Sequence, residues 1–362
     1  MKQLLTTKRA FVLVVFLGLL AMTARNVVTD PDVWWHLETG RYIAEHKAVP
    51  HADPFSFTRA GHPWIAHEWL TELLFFGIFR AAGWGGLIVL SAAILCTAFF
   101  LLYLRCGDDP FVAGIVTLGG AWATAPLWGA RPQVLSLLLT SLWLLLLERS
   151  ERKSGLLLWT LPLSLLWVNL HGEFALGLAL LALFLAGEFL ERLLGAFFAD
   201  AASSRLRILG LALALDLLLV PLNPNGLRMY RYPIETLRSP AMQNYIAEWA
   251  SPNFHRPEYW PFLLLLLATL AALAGVARRV RPRDLLLLVV GTYAALCSIR
   301  MIPLFVLIAV PILSRSLEAW TASGRGARPN RHNPGLRNPA LINAAIILAM
   351  GAFTGIRIAH VI

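Results

Sequence analysis

Residues 10–24 read Ala10-Phe-Val-Leu-Val-Val-Phe-Leu-Gly-Leu-Leu-Ala-Met-Thr-Ala24, and residues 30–46 read Asp30-Pro-Asp-Val-Trp-Trp-His-Leu-Glu-Thr-Gly-Arg-Tyr-Ile-Ala-Glu-His46. The first run contains no charge and follows Lys8-Arg9. The second opens on two acids and then interleaves tryptophans with charged groups. Such a succession describes a helix that crosses hydrocarbon and a second helix that lies along the headgroups. Asp30 or Asp32 can cap that second helix near Val33, with Pro31 suited to its first turn. Val33, Leu37 and Ala44 fall on one face, and Trp34 with Trp35 suits the boundary between lipid and water.

The rest of the 362-residue chain repeats the apolar theme. Hydrophobic residues make up 58% and charged residues 14%, against about 25% charge in soluble domains. Apolar runs bounded by charge predict spans near 10–24, 84–104, 111–127, 133–147, 155–170, 174–190, 206–222, 260–277, 284–299, 301–314 and 340–361. The expected fold is therefore all-α, a polytopic membrane protein of about eleven transmembrane helices with amphipathic helices in its first outer loop. Three scattered cysteines, Cys96, Cys106 and Cys297, exclude a disulfide scaffold.

Most Lys and Arg fall in segments on one side if the N-terminus is cytoplasmic, as the positive-inside rule requires. The net charge of +10 is thus a topology signal, and no nucleic-acid partner is expected because no concentrated basic face exists. The chain is expected in the cytoplasmic (inner) membrane. Ala21-Met-Thr-Ala24 admits the alternative that the first span is a cleaved leader. A Gly/Pro/Arg-rich stretch divides the sequence into a membrane module (1–319), a cytoplasmic linker (320–338) and a C-terminal helix (339–362).

On this topology His36, His46, His51, His62, His67, His171 and His255 all lie on the outer side, so chemistry belongs there. A second amphipathic helix is expected within 61–76, with His67 and Glu68 opening its polar side. Further outer edges carry Arg131-Pro-Gln133, Asn169-Leu-His171-Gly-Glu173, Asn223-Pro-Asn-Gly226 with Arg228, Glu248-Trp249, and Arg300. Taken singly these are caps, turns and snorkelling arginines. Their gathering at one boundary points to a site, because ionisable groups are costly in hydrocarbon. Asp30 and Asp32 can be helix-capping groups or a general base, with or without a metal. Asp216 is the deepest acid, about five residues from the outer end of its span, and either pairs with an arginine or reaches a cavity.

Asp32 followed by Trp34-Trp35 and Gly40-Arg41-Tyr42-Ile43, with Trp69-Leu70 opening a second helix, resembles the first outer loop of the GT-C superfamily of integral-membrane glycosyltransferases. Both oligosaccharyltransferase catalytic subunits and protein O-mannosyltransferase-like enzymes, including a bacterial branch of the latter, carry similar segments. The chain departs from them where Val33 stands for a glutamate and where Ile65-Ala-His-Glu68 replaces a basic or histidine Pro-Pro step. The resemblance implies an inverting transfer of a sugar from a polyprenyl-phosphate donor to an acceptor hydroxyl on a lipid, glycan or protein. It implies Asp32 as base, with Asp30 the second candidate. Arg131, Arg300 and Arg228 would contact phosphate, and His67, Glu68, His171 and Glu173 would bind acceptor or join a divalent metal, whose presence stays open. Two other functions compete. One is a transporter or lipid flippase, for which Asp216 would be the midplane acid. The other is a membrane acyl- or phosphotransferase with His171 or His67 as base.

Overall fold

A computed structural model describes residues 6–24, 30–194, 202–276, 280–324 and 339–361. Fourteen α-helices are found there, and the only β feature is one bridge between Ala52 and Pro63. In chain order they are α1 Thr7–Thr23, α2 Asp32–His46, α3 Trp69–Tyr103, α4 Pro110–Thr124, α5 Gln133–Arg149, α6 Thr160–Leu170, α7 Phe174–Leu193 and α8 Ala202–Leu219. Short α9 Tyr232–Arg238 and α10 Pro240–Tyr245 follow, then α11 Trp260–Val276, α12 Pro282–Cys297, α13 Ile302–Gly324 and α14 Pro339–Val361.

Among the described residues, each of the eleven expected apolar runs is helical over most of its length. By length and composition alone, six helical stretches meet the full requirement for crossing a bilayer: 69–103, 110–127, 174–193, 257–275, 299–321 and 342–361. The protein is a multi-pass, all-α membrane protein. The short run 301–314 is in fact the start of the 23-residue α13. Phe305 through Val310 are all buried, between 0% and 4% exposed. A helix apolar all round belongs at the centre, and α13 packs there against α4, α11 and α12. The anticipated linker begins later than expected, since α13 continues to Gly324; residues 325–338 lie outside the described residues.

The first loop holds α2 and a second helix that starts at Trp69, where the resemblance put it; residues 61–68 before it are not helical. This helix and the span expected from residue 84 together make up the 35-residue α3. Its only break is Gly83, at φ 60° and ψ −153°, a backbone region that essentially only glycine occupies. The helix therefore turns at Gly83 from its amphipathic outer half into its spanning half. α2 packs on α3 so closely that a Cβ on Gly40 would meet the Glu72 carbonyl and lie 2.7 Å from Phe76 Cβ.

Charged groups meet at the two ends of the bundle. At one end Arg281 pairs with Glu191 at 2.8 Å and Glu151 at 2.6 Å, Arg283 with Glu151 and with Asp284 at 2.8 Å, and Arg105 with Glu148 at 2.8 Å. The opposite end, expected from the sequence to be the outer one, holds the candidate site.

Candidate functional site

Four polar contacts fix the loops at this end against one another. Trp69 donates its indole N–H to Asn169 Oδ1 at 2.8 Å, and Thr71 donates to the Leu170 carbonyl at 2.5 Å. These bind the start of α3 to the α6–α7 turn. Asn223 donates to the Val168 carbonyl at 2.8 Å, anchoring the last outer loop to the same turn. Ser298 donates to the Glu248 carbonyl at 2.9 Å, which places Glu248 beside Arg300.

Arg131, just ahead of α5, is the centre of the first cluster. It donates to Asp30 and to Glu248 at 2.5 Å each and lies 3.5 Å from Asp32. Burial opposes its charge, but Asp30, Glu248 and Asp32 outweigh it and push its pKa up. The two aspartates have different tasks. Asp30 Oδ1 accepts the Asp32 backbone N–H at 3.1 Å, so Asp30 rather than Asp32 caps the first turn of α2. The Asp30 side chain is 11% exposed and Asp32 44%. Asp32 is the carboxylate left free to meet a ligand.

The second cluster surrounds Glu68. Its Oε1 lies 3.0 Å from His67 Nε2 and 3.2 Å from His171 Nε2, and its Oε2 lies 3.5 Å from His36 Nδ1. His36 Nδ1 is also 3.4 Å from Glu72. Burial works against charge on Glu68, but the imidazoles of His67 and His171 hold its carboxyl well below the usual range. Burial likewise lowers His67, yet Glu68 prevails and raises it. Tyr232, whose own pKa is raised by burial, bonds His67 Nε2 at 2.9 Å. Ser136 accepts the Trp167 indole N–H at 2.8 Å and lies 2.6 Å from His171 Nδ1. His171 thus sits between Glu68 at Nε2 and Ser136 at Nδ1.

Arg300 joins the clusters. It donates to Glu173 at 2.8 Å, lies 3.3 Å from His171 Nε2 and stands 5.7 Å from the Trp249 ring centroid. Arg131, Glu173, Glu248 and Arg300 line one cavity, together with Leu95, Val134, Leu137, Leu304 and Leu307 from within the bundle. A charged rim above an apolar depth suits a molecule with an anionic head and a hydrocarbon tail.

Eight of the nine sequence-derived candidates thus converge: Asp30, Asp32, Arg131, Arg300, His67, Glu68, His171 and Glu173. Arg228 does not join them; it is exposed on the short 226–230 turn. The residues that sequence reasoning left out of the set are Glu248, His36, Glu72, Ser136 and Tyr232. The spacing of Glu68 and Glu72, one helical turn apart, was the available signal for the second carboxylate. Asp216 belongs to neither cluster. It is fully buried in α8 beside the hydroxyls of Thr160 and Ser164, and neither carboxylate oxygen makes a well-formed hydrogen bond among the described residues.

No known protein-family profile matches the chain, and no curated protein matches its sequence. Its three-dimensional structure does have a counterpart in the archaeal oligosaccharyltransferase AglB from Archaeoglobus fulgidus, solved in complex with an inhibitory peptide and a dolichol-phosphate. The two superpose with a TM-score of 0.53 at 13% identity, over 96% of this chain. The fold is similar to that of AglB. The aligned region is 55% of AglB, so the chain spans about half of that protein's length.

Proposed function

We propose that the protein is a membrane glycosyltransferase that moves a sugar from a polyprenyl-phosphate donor to an acceptor hydroxyl at the outer membrane face, with inversion. The observation that carries this reading is the cavity whose rim holds Arg131, Glu173, Glu248 and Arg300 over apolar walls, with Asp32 3.5 Å from Arg131. The GT-C-like fold and the dolichol-phosphate bound by AglB support a lipid-linked donor.

In this reading Asp32 takes the proton of the acceptor hydroxyl as its oxygen attacks the anomeric carbon. The bond from that carbon to the phosphate oxygen breaks, and the polyprenyl phosphate leaves with the electron pair. Charge grows on the phosphate in the transition state, where a fixed guanidinium acts most strongly. Arg300 is the better suited cation, since it has one carboxylate partner, Glu173, whereas Arg131 is engaged by three. Arg131 positions Asp30, Asp32 and Glu248. Leu95, Leu137, Leu304 and Leu307 would receive the first isoprene units.

The test is transfer from a panel of radiolabelled polyprenyl-phosphate hexoses in membranes that contain the protein. Asp32→Asn should abolish transfer while leaving thermal stability unchanged, because its carboxylate makes only the long contact with Arg131. Full activity of Asp32→Asn would remove Asp32 from the mechanism.

A further inference from the structure

We propose that His36, Glu68 and Glu72 form a buried site for a divalent first-row metal ion such as Zn2+ or Mn2+, distinct from the Asp32–Arg131 cluster. The proposal does not depend on glycosyl transfer. One ligand atom from each residue, an imidazole nitrogen and two carboxylate oxygens, lies within 4.8 Å of the others, and all three residues are buried.

The distances favour a metal over direct hydrogen bonds. His36 Nδ1 is 3.4 Å from Glu72 Oε1 and 3.5 Å from Glu68 Oε2, beyond the usual N–H···O range of about 2.7–3.2 Å. A tetrahedral ion with bonds of about 2.1 Å holds its ligand atoms roughly 3.4 Å apart. Glu72 supplies an independent observation: its Oε2 is buried and reaches no hydrogen-bond partner among the described residues. Glu72 also has no full-time cation of its own. Glu68 is answered by His67 at 3.0 Å and Glu173 by Arg300 at 2.8 Å, while Glu72 faces only the imidazole of His36. A buried carboxylate in that position needs a proton or a cation.

The donor set also points to the class of ion. Imidazole suits zinc, iron and copper, and carboxylates suit manganese and magnesium, so one histidine with two glutamates fits Zn2+ or Mn2+. Three protein ligands leave a position open for a water or another group. The site lies between α2 and the outer half of α3, so an ion there joins the two elements of the first outer loop.

The experiment uses the full chain in detergent, stripped with a chelator and dialysed against Zn2+ or Mn2+, with metal content measured by mass spectrometry. Wild type should hold about one equivalent of one of the two ions and melt at a higher temperature than the stripped protein. Glu72→Gln, which keeps the volume and removes the charge, should weaken binding by at least roughly 10–100-fold, the loss typical of even an outer-shell partner. Asp32→Asn should keep its equivalent. A wild-type protein that binds neither ion at micromolar concentration overturns the proposal. Retention of the ion in Glu72→Gln together with its loss in Asp32→Asn also overturns it.

Discussion

Nε of Arg131 donates to Oδ2 of Asp30 at 2.5 Å across 101 positions of sequence. The bond attaches the start of α2 to the start of α5. It leaves Asp32, two residues along, turned toward the open side of the cluster.

Asp30 and Asp32 should therefore separate in their effects. Asp30→Ala removes both the helix cap and the ion pair and should cost about 1–3 kcal/mol. Asp32→Asn should leave the melting temperature in detergent unchanged. Equal destabilisation by the two variants would contradict this division.

Arg131→Lys should behave as a loss, not as a conservative change. A single ammonium cannot hold three carboxylates in the planar arrangement that a guanidinium allows. Lower thermal stability is expected, with part of the loss recovered in Arg131→Gln/Glu248→Gln, where one uncompensated acid is gone. A double-mutant cycle measures that recovery, and strict additivity would show that Arg131 and Glu248 do not interact.

At Gly40 the added methyl of alanine would meet the Glu72 backbone carbonyl and Phe76 Cβ. Close backbone approach is what small residues provide between membrane helices. Gly40→Ala should force α2 away from α3 and raise protease cleavage in the first outer loop several-fold. An unchanged cleavage rate would mean that the two helices can shift without cost.

Ser136→Ala should leave the Trp167 indole N–H without its acceptor and His171 Nδ1 without its hydroxyl partner, both in a buried setting. The expected cost is about 1–3 kcal/mol. Ser136→Thr keeps the hydroxyl and should retain more stability than alanine when the two are compared by thermal denaturation.

Asp216→Leu should leave the proposed transfer intact and melt no lower than wild type, because the hydroxyls of Thr160 and Ser164 do not repay the desolvation of a buried carboxylate as a cation would. A selective loss of activity at unchanged stability would assign Asp216 a role.

The helices were legible because the apolar runs between charges are local and long. Residues 61–68 read as amphipathic but are not helical, whereas Trp69 and residue 84 do mark where the two halves of α3 begin. The site was legible only as a set of polar residues expected at one end of the spans. Which outer residues meet was not, since Arg131 reaches Glu248 across 117 positions and no periodic pattern encodes such a pairing. His36 and Glu72 were hidden for a different reason: on amphipathic helices polar residues normally face water, whereas these two turn inward where α2 meets α3.

The two charged ends also make the molecule a ruler. Along α7, Glu173 at the outer rim and Glu191 at the inner ion pairs are about 27 Å apart at 1.5 Å per residue, and both are held by arginines from other helices. That span matches a thin membrane, below the 32–33 Å of sterol-rich bilayers. Vesicles of lengthening acyl chain should thus be tolerated only up to the thickness at which one end must be dragged into oil.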